Sequence, residues 1–152
     1  MTDIRFYQLQ TQSLEIALPQ LLGKALDNKH RVLVRVKDSK EAERLNTMLW
    51  SYKKDSFLPH GTKKTGYEAD QPIFISEEQD NPNKADTLFI IESDKTEDLS
   101  NFKLCCEIFD GKNDEAVKAA RSKWKSYKDD GHNITYWQQT AKGSWEDKTN
   151  PS

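Results

Sequence analysis

Short runs of branched and aromatic residues alternate along the chain with longer amphipathic stretches. The short runs predict β-strands at residues 4–9, 31–36, 72–76, 87–92, 103–109 and 133–138, the last being the final strand. Apolar residues spaced three and four apart predict helices at residues 13–28, 39–50 and 114–128. Pro19 lies inside the first helical pattern, so this helix is expected to kink there or to begin near Leu18.

The order of these elements predicts the fold class. Strand, helix, strand and helix at these lengths imply right-handed crossovers and a parallel sheet. We therefore expect an α/β fold of three layers, α/β/α, around a mainly parallel (mixed) sheet of Rossmann-like type. Residues 1–139 are expected to form a single α/β domain, and residues 140–152 a polar C-terminal tail apart from Trp145. Residues 51–71, with two glycines and a proline, are expected to be mostly loop.

Residues 114–128 predict a long amphipathic helix with two stripes that lie side by side. Asn113 or Asp114 is expected to cap its start, and Gly131 to close its end in a left-handed conformation. The apolar stripe consists of Val117, Ala120, Trp124 and Tyr127. The basic stripe consists of Lys118, Arg121, Lys125 and Lys128.

Trp124 falls on the border between these two stripes, beside Arg121 and Lys128. A large ring next to a guanidinium and ammonium groups suits a ligand with one apolar anchor and several negative charges. The alternative is a core helix with a solvated basic face, which is common in globular proteins. The helix alone leaves both interpretations open.

The distribution of charge along the chain indicates which class of partner the protein binds. The chain has a net charge of −2, which argues against a broad surface that grips nucleic acid. Residues 68–98 hold ten acidic residues and two lysines, whereas residues 114–128 hold five basic residues and two acidic ones. A local basic patch on an acidic protein favours a small acidic partner over a long polyanion. Without an apolar run of membrane-spanning length or an apolar signal segment, the expected location is cytoplasmic, with no membrane partner.

The residue types that carry catalysis or bind cofactors do not form a recognisable motif. Cys105 and Cys106 are adjacent and the three histidines are scattered, so neither a metal site nor a cofactor is expected. The end of the first strand and the residues after it, QLQTQS at residues 8–13, contain no phosphate-binding glycine pattern. Residues 61–66 have the glycine spacing of a P-loop, but Tyr67 and Glu68 replace the Lys-Ser/Thr pair. His60 has no nucleophile nearby in sequence, so no catalytic residues are assigned and the protein is not expected to be an enzyme.

An ordered set of short motifs resembles a known family. The set comprises FYxL at residues 6–9, the strand VLVRV followed by the helix ending in LW, SFLPHG at residues 56–61, EIFD at residues 107–110, AR…WK.YK at residues 120–128, and YWQQ…G.WE at residues 136–146. In this order they are similar to the chi subunit of bacterial DNA polymerase III holoenzyme, over nearly the whole chain. The resemblance implies a non-catalytic clamp-loader accessory in DNA replication.

The resemblance implies two partners. One is the acidic C-terminal tail of single-stranded DNA-binding protein, which ends in Pro-Phe with a free carboxylate. The family's tail site corresponds to Arg121, Trp124, Lys125, Lys128 and Val117, and we add Lys118, which neighbours the family's basic position. The other partner is the psi subunit or another clamp-loader component, or an accessory helicase. Its site corresponds to Trp50, Phe57, Leu58, Pro59 and His60, for which packing in the core is the alternative.

Two other functions remain open. A module that binds single-stranded DNA directly would place the basic stripe on phosphates, but strong direct binding is not expected because the chain is acidic. An adaptor for a repair helicase would use the surface at Trp50 to His60 with another partner. A nucleotide-dependent enzyme is disfavoured by the missing phosphate-binding loop.

Overall fold

The computed structural model describes residues 2–51, 60–62, 71–77, 81, 83–91, 99 and 102–148. Within these ranges the strands are β1 (Asp3–Leu9), β2 (Val32–Arg35), β3 (His60–Thr62), β4 (Ile73–Ser76), β5 (Thr87–Ile91), β6 (Leu104–Asp110), β7 (Asn133–Gln139) and β8 (Trp145–Asp147). The helices are α1 (Leu14–Asp27), α2 (Ser39–Ser51) and α3 (Asp114–Asp129). For the last two residues of α2, only the backbone is described.

The described strands form one sheet in the order β3-β4-β2-β5-β6-β1-β7-β8. All neighbours pair in parallel except β7 and β8, which form an antiparallel pair. The predicted fold class, an α/β protein with a mainly parallel (mixed) sheet, is therefore confirmed. The central strands β2, β4 and β5 are buried at every residue, because helices and loops cover both of their faces.

The sheet divides the core into two layers, and helices cover each of them. On one face of the sheet, α1 and α2 cover a cluster that includes Tyr7, Val34 and Ile108. On the other face, α3 covers a cluster that includes Phe6 and Phe109. The alternation of Phe6 and Tyr7 along β1 assigns neighbouring side chains to opposite layers. The basic stripe of α3 therefore lies on the opposite side of the sheet from α1.

Three details differ from the expectations. The first helix does not begin near Leu18: α1 starts at Leu14 and continues through Pro19, which is buried in the core. Within the stretch expected to be loop, residues 60–62 form β3, an edge strand paired with β4. The strand at residues 133–139 is not the last, because β8 follows and pairs with it. Both missed strands are three residues long, too short to show an alternating pattern.

Two helices start at the same place in the sheet. The carboxyl ends of β1 and β6 lie side by side, with Leu9 opposite Asp110, and they lead into α1 and α3 on opposite faces. In α/β sheets such a point commonly forms a crevice for ligands. A cavity of about 460 Å³ lies there in this chain. Gly111 allows the close approach, since its N–H donates to the Leu9 carbonyl at 2.7 Å and a Cβ would lie 2.7 Å from that oxygen.

Candidate tail-binding site on helix α3

Helix α3 begins and ends at residues that its sequence specifies. The side-chain oxygen of Asn113 accepts hydrogen bonds from the backbone N–H groups of Glu115 and Ala116, at 3.0 and 3.2 Å. Of the two residues considered as caps, Asn113 is therefore the one that caps the helix. Gly131 has a φ of +84°, the left-handed conformation expected after the helix end.

The apolar stripe of α3 rests on an aromatic cluster. Ala120 is buried, while Val117, Trp124 and Tyr127 are half-buried against the sheet. The Trp124 ring lies edge-on to two rings, with centroid distances of 5.6 Å to Phe6 and 5.7 Å to Tyr136. These contacts fix the indole while leaving part of it accessible, which suits the wall of a shallow binding site.

The five basic residues of α3 fall into two groups. The Lys123 ammonium lies 3.1 and 3.2 Å from the two carboxylate oxygens of Glu107, which is buried in β6, and the Tyr127 hydroxyl donates to the same carboxylate at 2.6 Å. Lys123 therefore forms an ion pair within the protein. The other four are exposed, and in the described part of the chain none of them forms an ion pair. They are Lys118, Arg121, Lys125 and Lys128.

Arg121 lies close to the aromatic cluster. Burial raises the pKa of the Tyr136 hydroxyl, and the positive charge of Arg121 acts on this pKa in the opposite direction. The hydroxyl donates to the side-chain oxygen of Gln8 on the neighbouring strand. An exposed guanidinium thus stands beside Trp124 and Tyr136. This arrangement provides an apolar wall and a donor for a carboxylate at one place.

The residues predicted to contact a second partner are only partly described. The side chain of Trp50 and all of Phe57, Leu58 and Pro59 lie outside the described residues. His60 is buried in β3, with 2% of its surface exposed, and its Nε2 lies 3.2 Å from the Asn46 carbonyl oxygen. This contact attaches the edge strand to α2.

The turn between β1 and α1 is held by a residue that the sequence did not suggest. The side-chain oxygen of Gln139 accepts from the backbone N–H groups of Gln10, Thr11 and Gln12, at 3.3, 2.9 and 2.8 Å. Successive N–H groups that converge in this way usually form a concavity for an anion. In Rossmann-like proteins this turn holds the nucleotide phosphate. Here the side-chain oxygen of the buried Gln139 occupies this position.

The two cysteine thiols are buried in the fold. In the described structure Cys105 and Cys106 are reduced and buried. Burial raises the pKa of the Cys106 thiol to about 12, so the thiol stays protonated at neutral pH. Across the described ranges, no cluster of three or more His, Cys, Asp and Glu residues is arranged to hold a metal ion. No described helix is long and apolar enough to cross a membrane.

Comparison with known proteins supplies the family. The profile of the family described as DNA polymerase III chi subunit, HolC, matches residues 1–135, which include all of α3. The chain is also 33% identical over 91 residues to the probable DNA polymerase III subunit chi of Rickettsia prowazekii (strain Madrid E). That match covers 60% of this chain and 55% of the relative, so the chain spans about half the length of the curated relative it matches. Because the family profile matches most of its residues, the chain belongs to the DNA polymerase III chi subunit family.

Proposed function

We propose that this chain is a non-catalytic accessory subunit of the replicative polymerase that binds the acidic C-terminal tail of single-stranded DNA-binding protein. The observation that carries the proposal is the surface of α3, where exposed Arg121 and Lys128 lie one helical turn before and after the half-buried Trp124, and exposed Lys125 follows it in the basic stripe. The four exposed basic residues are not neutralised by described carboxylates, whereas Lys123 is. A surface with these properties fits a short ligand that is both acidic and aromatic.

The proposed roles follow the chemistry of the tail. Arg121 binds the terminal carboxylate, because a guanidinium can donate two parallel hydrogen bonds to it. Trp124 and Val117 contact the terminal phenylalanine ring from the side of the aromatic cluster. The lysines of the basic stripe attract the preceding aspartates, and as exposed charges they contribute a salt-sensitive part of the affinity.

The link to the clamp loader belongs to a different surface. We place it at Trp50, Phe57, Leu58, Pro59 and His60, which would bind the psi subunit where present, another clamp-loader component or an accessory helicase. His60 is buried, so its part in this contact would be to hold β3 against α2 while its neighbours bind. This assignment rests on the family resemblance.

A comparison of three ligands tests the proposal. Isothermal titration would measure binding of this protein to full-length single-stranded DNA-binding protein, to the same protein without its last ten or so residues, and to a single-stranded oligonucleotide alone. We expect binding to the full-length protein only, and we expect added salt to weaken it. Equal binding to the truncated protein would refute the tail as the ligand. Binding to the oligonucleotide alone would instead support the direct DNA-binding module.

A further inference from the structure

A second cavity lies on the face of the sheet opposite α3, lined by α1 on one side and by strands that include β1, β7 and β8 on the other. Its volume is about 290 Å³, near the lower end of ligand pockets. We call it the tryptophan cavity. Its described lining residues are Arg5, Tyr7, Leu21, Lys24, Ala25, Asn28, His30, Phe89, Leu104, Cys106, Trp137 and Trp145. None of the functions assigned above uses this cavity.

Three aromatic residues from three adjacent strands form one side of the tryptophan cavity. Tyr7 lies opposite Trp137 in the sheet, and its ring is edge-on to Trp145 at a centroid distance of 5.0 Å. Both tryptophans are half-buried, and the Trp137 indole N–H donates to the Thr135 hydroxyl at 3.0 Å. The two tryptophans follow the end of the family match at residue 135, so the match does not assign them a role.

The charge at the rim is positive. Arg5 and Lys24 are exposed there. The described lining contains no carboxylate. Three carboxylates lie close to lining residues. Asp86 lies 2.9 Å from the His30 ring, Asp3 accepts from Asn133 at 3.2 Å, and Asp147, opposite Trp137 in the sheet, also has a partner. Within the described lining, an incoming acidic group would meet two exposed cations, Arg5 and Lys24.

We propose that the tryptophan cavity is a docking site for an acidic peptide that inserts one bulky apolar side chain. The inserted side chain would lie between α1 and the two tryptophans, and its flanking carboxylates would reach Arg5 and Lys24. The aliphatic and aromatic residues of the lining suit a hydrocarbon group. Tryptophan, tyrosine and arginine are also the residues that dominate binding energy at protein interfaces.

This docking site is separate from the one proposed on α3, because the sheet lies between them. Both could be occupied at once, so the chain would hold two acidic segments on opposite faces. The two sites also differ in what they require. The α3 site is proposed to need a free terminal carboxylate, whereas the tryptophan cavity needs only an internal apolar residue between acidic ones.

Nuclear magnetic resonance of the ¹⁵N-labelled protein tests this proposal. The probe is the peptide Asp-Glu-Phe-Asp-Glu with an acetylated amino end and an amidated carboxyl end, so it carries no terminal carboxylate for α3. We expect it to shift the indole N–H signals of Trp137 and Trp145 but not that of Trp124. Arg5→Gln and Lys24→Gln should together weaken binding at least about fivefold, while Arg121→Gln leaves it unchanged. Replacing the phenylalanine of the probe by serine should abolish the shifts.

Three results would overturn the proposal. The first is an absence of shifts at Trp137 and Trp145 at millimolar peptide. The second is a loss of binding in Arg121→Gln equal to that in the double variant, which would place the peptide on α3. The third is an equal or larger shift of Trp137 with a short thymidine oligonucleotide, which would assign the cavity to nucleic acid. Because the substituted residues are exposed, both variants are expected to fold, and circular dichroism checks this.

Discussion

At the scale of single residues, the partner of each basic side chain decides its role. Lys123 and Arg121 are two positions apart on α3, and nothing in the sequence distinguishes their charges. In the structure, Lys123 neutralises the buried Glu107, whereas Arg121 is exposed beside the rings of Trp124 and Tyr136. The sequence separated them only through helical spacing, which placed Lys123 outside the basic stripe. The acid that binds Lys123 comes from another strand and could not be foreseen.

This difference predicts that substitution of Lys123 lowers the stability of the fold, whereas substitution of Arg121 lowers the affinity for the tail. Lys123→Met leaves the Glu107 carboxylate buried without its ammonium, so the free energy of unfolding should fall by about 2 kcal/mol. Tail affinity should stay within about twofold of the wild-type value, since Lys123 does not face the proposed site. Urea denaturation and peptide titration measure the two quantities. The matched control is Lys125→Met, which should leave stability unchanged, and equal stability losses in both variants would contradict this account.

At the scale of elements, the sequence predicted those that carry a long periodic pattern or an end signal. The cap at Asn113 and the closing Gly131 of α3 were both among the predicted positions. The edge strands β3 and β8 were missed because three residues show no periodicity, and pairing with β4 and β7 determines their structure. Gln139 was missed for a related reason: its amide bonds a turn more than one hundred residues away.

The bonds of Gln139 predict a large effect from one substitution. Gln139→Leu keeps a side chain of similar size in the buried position but removes the acceptor of three backbone N–H groups. We expect the free energy of unfolding to fall by about 1 to 2 kcal/mol, because three partly exposed backbone donors lose their acceptor. Gln138→Leu, on the opposite face of β7, is the control. Similar losses in the two variants, measured by urea denaturation, would show that the turn does not depend on Gln139.

At the scale of the whole molecule, one sheet separates two surfaces with different chemistry. The predicted α/β architecture was correct because helices and buried strands alternate in a long, regular order. The basic stripe was also predicted correctly as an exposed face, since α3 is amphipathic. The tryptophan cavity was not predicted, because it forms only when Tyr7, Trp137 and Trp145 meet from distant parts of the chain. Its ligand and that of α3 remain proposals.

The stability of the molecule in acid should depend on Asp86, which joins the beginnings of β2 and β5. Burial alone would raise the pKa of this carboxyl, but its hydrogen bonds with His30 and with the backbone N–H of Arg31 outweigh burial and hold the pKa below its ordinary value of 3.8. A lowered folded-state pKa gives stability that is present above the ordinary value and is lost as pH falls through the folded value. Asp86→Asn should therefore be less stable than the wild type near neutral pH.

The difference in stability between Asp86→Asn and the wild type should close as the pH falls below 3.8. Thermal denaturation of both proteins over a series of pH values measures it. A difference that stays constant through this range would mean that the charge of Asp86 does not stabilise the fold.

The central claim is that α3 binds an acidic tail through Arg121 and Trp124. Fluorescence anisotropy of a labelled tail peptide from the host's single-stranded DNA-binding protein, titrated with the wild type, Arg121→Gln and Trp124→Ala, tests it most directly. Each substitution should weaken binding at least about tenfold, because one removes the donor for the terminal carboxylate and the other removes the apolar wall. Lys123→Met should bind as the wild type does. Wild-type affinity in both Arg121→Gln and Trp124→Ala would contradict the account.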